Sequence, residues 1–170
     1  MKSYLAIGAL FLLLFSCAKD PVEEIVEEVE LQNSEGISSF ELEVVNFINT
    51  LRANGAVCGS DQFLSAEPVY WNDVLDQASE MHAADMKENN FISHFGSNGS
   101  SPTDRLDEVN YAYAYSGENV AKGPQTIDVM MEEFMNSPTH CAVIMSPQYT
   151  HVGIAKIDKY WVLNFAKPKR

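Results

Sequence analysis

A chain of 170 residues has room for one domain of ordinary size and excludes a two-domain layout. Its 46% hydrophobic and 11% aromatic content is enough to fill a packed core, which excludes wholesale disorder. Acidic residues outnumber basic ones by 24 to 11, a balance that repels a polyphosphate backbone and excludes nucleic acid as a partner.

In chain order, Lys2 and the apolar run Leu5 to Phe15 read as an export signal, the run being too short to span a bilayer. It ends in Leu14-Phe15-Ser16-Cys17, which resembles the lipobox of bacterial lipoproteins, where a small residue precedes the cysteine that becomes acylated. The expected division is a signal peptide over 1–16, a lipidated Cys17 with an acidic tether over 17–37, and a folded domain over 38–170. Paired acyl chains on Cys17 would anchor the protein stably to the cell-envelope membrane. Asp20, Glu23, Glu24, Glu27, Glu28, Glu30 and Glu35 stand against the single Lys19, so the tether repels itself and reads as a solvated spacer.

From Ser38, Leu42, Val45, Phe47, Ile48 and Leu51 recur at helical spacing behind a Ser-Ser start with Glu41, and Gly55 closes this first helix. A loop carrying Cys58 and Gly59 leads to Pro68. Trp71, Leu75, Ala78, His82 and Met86 then mark one stripe of a longer helix that Asn89-Asn90 ends. Ser101-Pro102-Thr103-Asp104 predicts a short capped helix holding Arg105 and Leu106. Tyr111, Tyr113 and Tyr115 alternate like a strand, either as a cleft rim or as packing. Thr126 opens a helix with Ile127, Met130, Met131 and Phe134 inward. Ser137-Pro138 starts another, with His140 and Cys141 in its first turn, Ser137 as the N-cap and an end near Pro147.

Residues 151–157 and 160–165 alternate as strands joined by a tight Asp158-Lys159 turn, with Trp161 and Phe165 inward. Helices first and strands last predict an α+β fold with helices flanking a small antiparallel sheet. His82 falls on the apolar stripe and belongs to the core or its margin. His151, at a strand start, is expected at the surface.

Several segments together resemble one family in order and spacing. They are Asn49-Thr50-Leu51-Arg52, Trp71-Asn72, His82-Ala83-Ala84-Asp85-Met86, Phe91-Ile92-Ser93-His94, Gly117-Glu118-Asn119-Val120, the run from Phe134 to His140, and Val152-Gly153-Ile154. The likeness, over about residues 39 to 168, is to the CAP superfamily: cysteine-rich secretory proteins, antigen 5 and pathogenesis-related proteins. It implies an α-β-α sandwich and a cleft built from His94, Glu118 and His140, with Ser137 and Asn119 as neighbours. Where eukaryotic members have Trp-x-x-Glu, this chain has Phe134-x-x-Ser137, as in the bacterial branch, so one carboxylate of the family's cleft is missing.

Two imidazoles and a carboxylate suit a divalent metal such as zinc, and they equally suit a hydrogen-bonded, metal-free cleft. A helix N-terminus at His140 disfavours the protonated ring under either reading. No Gly-x-Ser-x-Gly elbow is present, and His82-Ala83-Ala84-Asp85 lacks the acid and second histidine of a zincin helix. With Cys17 acylated, Cys58 and Cys141 remain as an even pair in an exported domain. A disulfide is expected, the alternative being a metal site shared with His140. Three functional classes stay open: a surface module binding a small ligand, lipid, glycan or protein; a divalent-metal-dependent hydrolase; and a structural envelope protein.

Overall fold

The computed structural model describes residues 36–170. The expected signal peptide, Cys17 and nearly all of the expected tether lie outside the described residues. Helix α1 spans Ser39–Asn54, behind a reciprocal capping box between Ser38 and Glu41, and stops at Gly55 with φ 71°. A hairpin follows, β1 (Ala56–Cys58) against β2 (Asp61–Phe63), where the sequence reads as a loop. Its strands are three residues each and only half of those residues are covered, so they carry no hydrophobic alternation.

Strand β3 (Tyr70–Trp71) precedes α2 (Asp73–Glu88), and Asn72 caps the helix by accepting from the Leu75 amide. Trp71, expected on the helical stripe, therefore belongs to a strand. Its place is fixed by parallel pairing with Val152, and helical periodicity continues through it by coincidence of spacing. The short helix α3 is Pro102–Glu108, with a second capping box from Ser101 and Asp104. Then come β4 (Tyr113–Lys122), α4 (Ile127–Asn136), α5 (Pro138–Met145), β5 (His151–Ile157) and β6 (Tyr160–Pro168).

The main sheet has the order β3-β5-β6-β4. The β4–β6 and β5–β6 pairs are antiparallel, while β3–β5 is parallel, one departure from the antiparallel sheet expected. Strand alternation sends side chains to two helical layers. Trp161, Leu163, Phe165, Val152 and Ile154 join the cluster of Val45, Ile48, Met130, Phe134 and Ile144 from α1, α4 and α5. Tyr160, Val162, Ala155 and Val120 face Ala83 and Met86 of α2. The result is the α-β-α sandwich that the resemblance implied.

Two details fasten α2 to the sheet. A Cβ on Gly153 would collide with the backbone of Leu75 and Asp76, so only glycine lets the helix approach β5 so closely. Where the two-residue β3 ends, Asp76 of α2 takes over the next ladder contact. Its Oδ1 accepts from the Ile154 amide at 2.7 Å and from Trp71 Nε1 at 3.2 Å, while burial pushes its carboxyl up to about 6.

Candidate functional site

Strand β4 is an edge strand, and the residues singled out in the sequence gather along that edge. Glu118 points to the α2–α3 side, where α3 supplies Arg105. Neighbouring Asn119 points to the other side, where its Nδ2 donates to the His140 carbonyl at 3.0 Å. The segment before α3 brings His94, and the first turn of α5 brings His140. The two imidazoles thus come from opposite helical layers and approach each other over the sheet edge.

Glu118 is buried and engaged on both oxygens. Oε1 meets His94 Nδ1 at 2.9 Å, and Oε2 accepts from Arg105 at 2.7 Å. Arg105, only 3% exposed, also donates to the His94 carbonyl at 3.0 Å and the Ser100 carbonyl at 3.1 Å. A buried carboxylate needs such a partner, and the sequence marks Arg105 only as part of a short capped helix, with no local sign of that role. His82, 1% exposed as its place on the stripe implies, anchors the same segment through Nε2, 2.7 Å from the Ser93 carbonyl oxygen.

The two cleft histidines are tuned in opposite directions. The hydrogen bond that His94 donates to Glu118 raises His94 above its ordinary value, against a smaller opposing effect of burial. Burial lowers His140, and the neighbouring charge of His94 lowers it further. The His140 ring stands edge-on to Phe134 at 5.0 Å between centroids. Ser137 is the N-cap residue of α5, but its side chain makes no capping bond. Its hydroxyl meets that of Thr139 at 3.2 Å, so Ser137 holds the expected N-cap position without the side-chain bond.

Beside His140 lies a groove of about 280 Å³ lined by Ile92, Val120, Lys122, Glu133, Phe134 and Ser137. Helix α5 is held at both ends. The expected disulfide joins Cys141 to Cys58 of β1, and Arg52 donates to the Ile144 and Ser146 carbonyls at 2.7 and 2.8 Å.

The donor set fits a metal only in part. Both oxygens of Glu118 are taken, and among the described residues no three His, Cys, Asp or Glu side chains are arranged to hold an ion. What the arrangement allows is a pair of imidazoles, with Glu118 behind His94 as an orienting carboxylate. Outside the cleft, His151 is half-buried rather than on the surface. Its Nδ1 lies 2.7 Å from the Tyr111 hydroxyl, which was too distant in sequence for strand position alone to reveal. Tyr111 packs inward, whereas Tyr115 is 47% exposed.

The family model described as the cysteine-rich secretory protein family, CAP, matches residues 45–165. The uncharacterized protein YkwD of Bacillus subtilis is 28% identical over 131 residues, which are 76% of this chain and 48% of that protein. The uncharacterized membrane protein YlbC of the same organism is 33% identical over 97 residues, 57% of this chain and 28% of that one. The chain therefore spans about half or less of the length of these relatives. Among solved structures, an outer surface protein of Borrelia burgdorferi matches with TM-score 0.67 and 20% identity, over 78% of this chain and 97% of its own. An extracellular SCP-domain protein of Bacillus anthracis matches with TM-score 0.66 and 20% identity, over 83% of this chain and 50% of its own. Those likenesses are of fold.

Proposed function

Because the chain belongs to the cysteine-rich secretory protein family, CAP, we propose that it is an extracytoplasmic binding module of the bacterial envelope, anchored through an acylated Cys17. Its cleft along β4 recognises a partner rather than hydrolysing one. The observation that carries this reading is the state of Glu118. With Arg105 on one oxygen and His94 on the other, the buried acid of the cleft is not free to act as a base. Ser137 meets Thr139 instead of an imidazole, so this serine is not set up as a nucleophile beside a base. The groove offers mixed apolar and polar walls, the usual lining of a recognition site. A disulfide suits an oxidising compartment, and two of the relatives carry extracellular or outer-surface names.

The test is saturation binding of the full chain to three probes: sterol-containing phosphatidylcholine vesicles, peptidoglycan fragments and a basic peptide. One probe should saturate, and Ile92→Asp and His140→Ala should each weaken it about tenfold. If none saturates, or if both variants bind undiminished, the reading falls. For the anchor, Cys17→Ser should move the protein from the membrane fraction to the medium. Unchanged membrane retention contradicts acylation there.

A metal-dependent reading draws on one observation, the carboxylate behind the His94 ring, which is how metal-binding imidazoles are commonly oriented. It requires zinc uptake in calorimetry that is lost in His94→Ala. Uptake undiminished by that substitution removes it.

A further inference from the structure

The register of β4 against β6 determines which backbone groups face the groove. Gly123 donates to the Lys159 carbonyl at 2.9 Å, which marks Gly123 and Lys159 as a hydrogen-bonded pair. In an antiparallel ladder such pairs alternate with pairs whose amides and carbonyls point away from each other. Following the register, Ala121–Trp161 and Asn119–Leu163 are bonded, whereas Lys122–Tyr160, Val120–Val162 and Glu118–Asn164 are not. The amides and carbonyls of Glu118, Val120 and Lys122 consequently point off the sheet edge. A contact further along confirms this parity. Ser116 falls in the outward set, and its carbonyl accepts from the Tyr149 hydroxyl at 3.2 Å.

Most of this edge is blunted in ways sheets commonly use. The register shifts between Tyr113 and Tyr115, the Ser116 carbonyl is taken, and the Glu118 side chain is tied to Arg105. The stretch from Val120 to Lys122 is different. It forms the floor of the groove, and among the described residues its outward amides and carbonyls have no protein partner. Ile92, 49% exposed, stands on one flank of that floor, with Phe134 and His140 on the other.

We propose that this groove takes an extended basic peptide, which adds to the sheet as a further strand along Val120 to Lys122. Backbone hydrogen bonds would supply the affinity, and alternate peptide side chains would meet Ile92 on one wall and Phe134 on the other. The charge of the occupant follows from the surroundings. Glu133 lines the groove, and Lys122 turns its ammonium to Asn90 Oδ1, at 3.0 Å, and over the Tyr160 ring. The whole chain carries a net charge of −13, which repels a second copy of itself and an acidic peptide alike. The inference rests on the binding-module reading and names the partner class for that cleft.

The experiment uses the full chain and an alternating lysine–valine peptide of about eight residues, with two controls: the same peptide N-methylated at alternate residues, and its glutamate–valine counterpart. The lysine–valine peptide should bind saturably and slow amide exchange at Val120 and Lys122 by about tenfold or more, leaving Asn119 and Ala121 unchanged. N-methylation and the charge reversal should each weaken binding at least about tenfold. In the protein, Lys122→Pro removes an outward amide while sparing the ladder bonds of Ala121 and Gly123, and should weaken binding to a similar extent. If Lys122→Pro does not fold, the N-methylated peptide on the unaltered chain makes the same test. Absence of binding, equal binding of either control, or unchanged exchange at Val120 and Lys122 overturns strand addition. If vesicles or peptidoglycan fragments still saturate the cleft in a His140-dependent way, the binding-module reading survives that failure.

Discussion

Two buried guanidinium groups lie in helices on opposite faces of the main sheet. Arg52, fully buried, has only carbonyl partners among its hydrogen bonds: Glu67, Ile144, Ser146 and Tyr149, at 2.7 to 3.2 Å. Burial lowers its pKa to about 10. Arg105 has a carboxylate to answer, and that carboxylate holds an imidazole at the cleft. The difference teaches that a buried charge ringed by carbonyls ties chain segments together. One paired with a buried acid that in turn holds a half-exposed imidazole instead sets the geometry and titration of a site.

Arg52→Met is the harshest way to probe that contrast. It strips several buried carbonyls of their donor, and at about 1–3 kcal/mol for each unsatisfied group the loss approaches a small domain's whole stability. Urea unfolding should show no cooperative transition, or an unfolding free energy lowered by at least about 4 kcal/mol. A loss under about 1 kcal/mol would mean that water replaces the guanidinium.

Removing the bridge with Cys58→Ser and Cys141→Ser together releases a constraint spanning 83 residues of sequence, which the chain-entropy picture values at about 4 kcal/mol. The same urea measurement reports it. Because Arg52 still holds the far end of α5, the doubly substituted chain should remain folded.

On the other side of the comparison, Glu118→Gln leaves Arg105 buried without a counter-charge. We expect a loss of about 3 kcal/mol with the fold retained. A neutral outcome in chemical unfolding would show that Arg105 finds adequate compensation in the Ser100 and His94 carbonyls.

The smallest effect is the pH dependence of the His94 contact. The folded-state pKa lies above the unfolded value of 6.5, so the stabilisation is fully present below 6.5 and is lost as pH rises through the raised value. The ring is 47% exposed, and solvent screening keeps the effect under about 1 kcal/mol. The difference in melting temperature between the unaltered chain and His94→Gln should be greatest near pH 5.5 and should vanish at alkaline pH. A pH-independent difference would assign the effect to packing.

Much of the scaffold is legible because it depends on local signals. The capping boxes at Ser38 and Ser101, the stripe through His82, the alternation of β5 and β6, and the even pair of cysteines each act over a few residues or by elimination. The hairpin β1–β2 and the parallel strand at Trp71 are not legible, since their stability comes from pairing partners rather than from any pattern of their own. In the cleft, family likeness located His94, Glu118 and His140. Arg105 escaped because nothing local marks an arginine whose partner lies 13 residues away on a neighbouring strand.

The most direct test is a nuclear magnetic resonance titration of the His94 and His140 rings in the full chain, repeated in Glu118→Gln. His94 should titrate above 6.5 and His140 below it, and removing the Glu118 charge should bring His94 down while leaving the fold intact. If His94 titrates at or below 6.5, or does not respond to Glu118→Gln, the carboxylate does not hold that imidazole and the proposed cleft geometry is wrong.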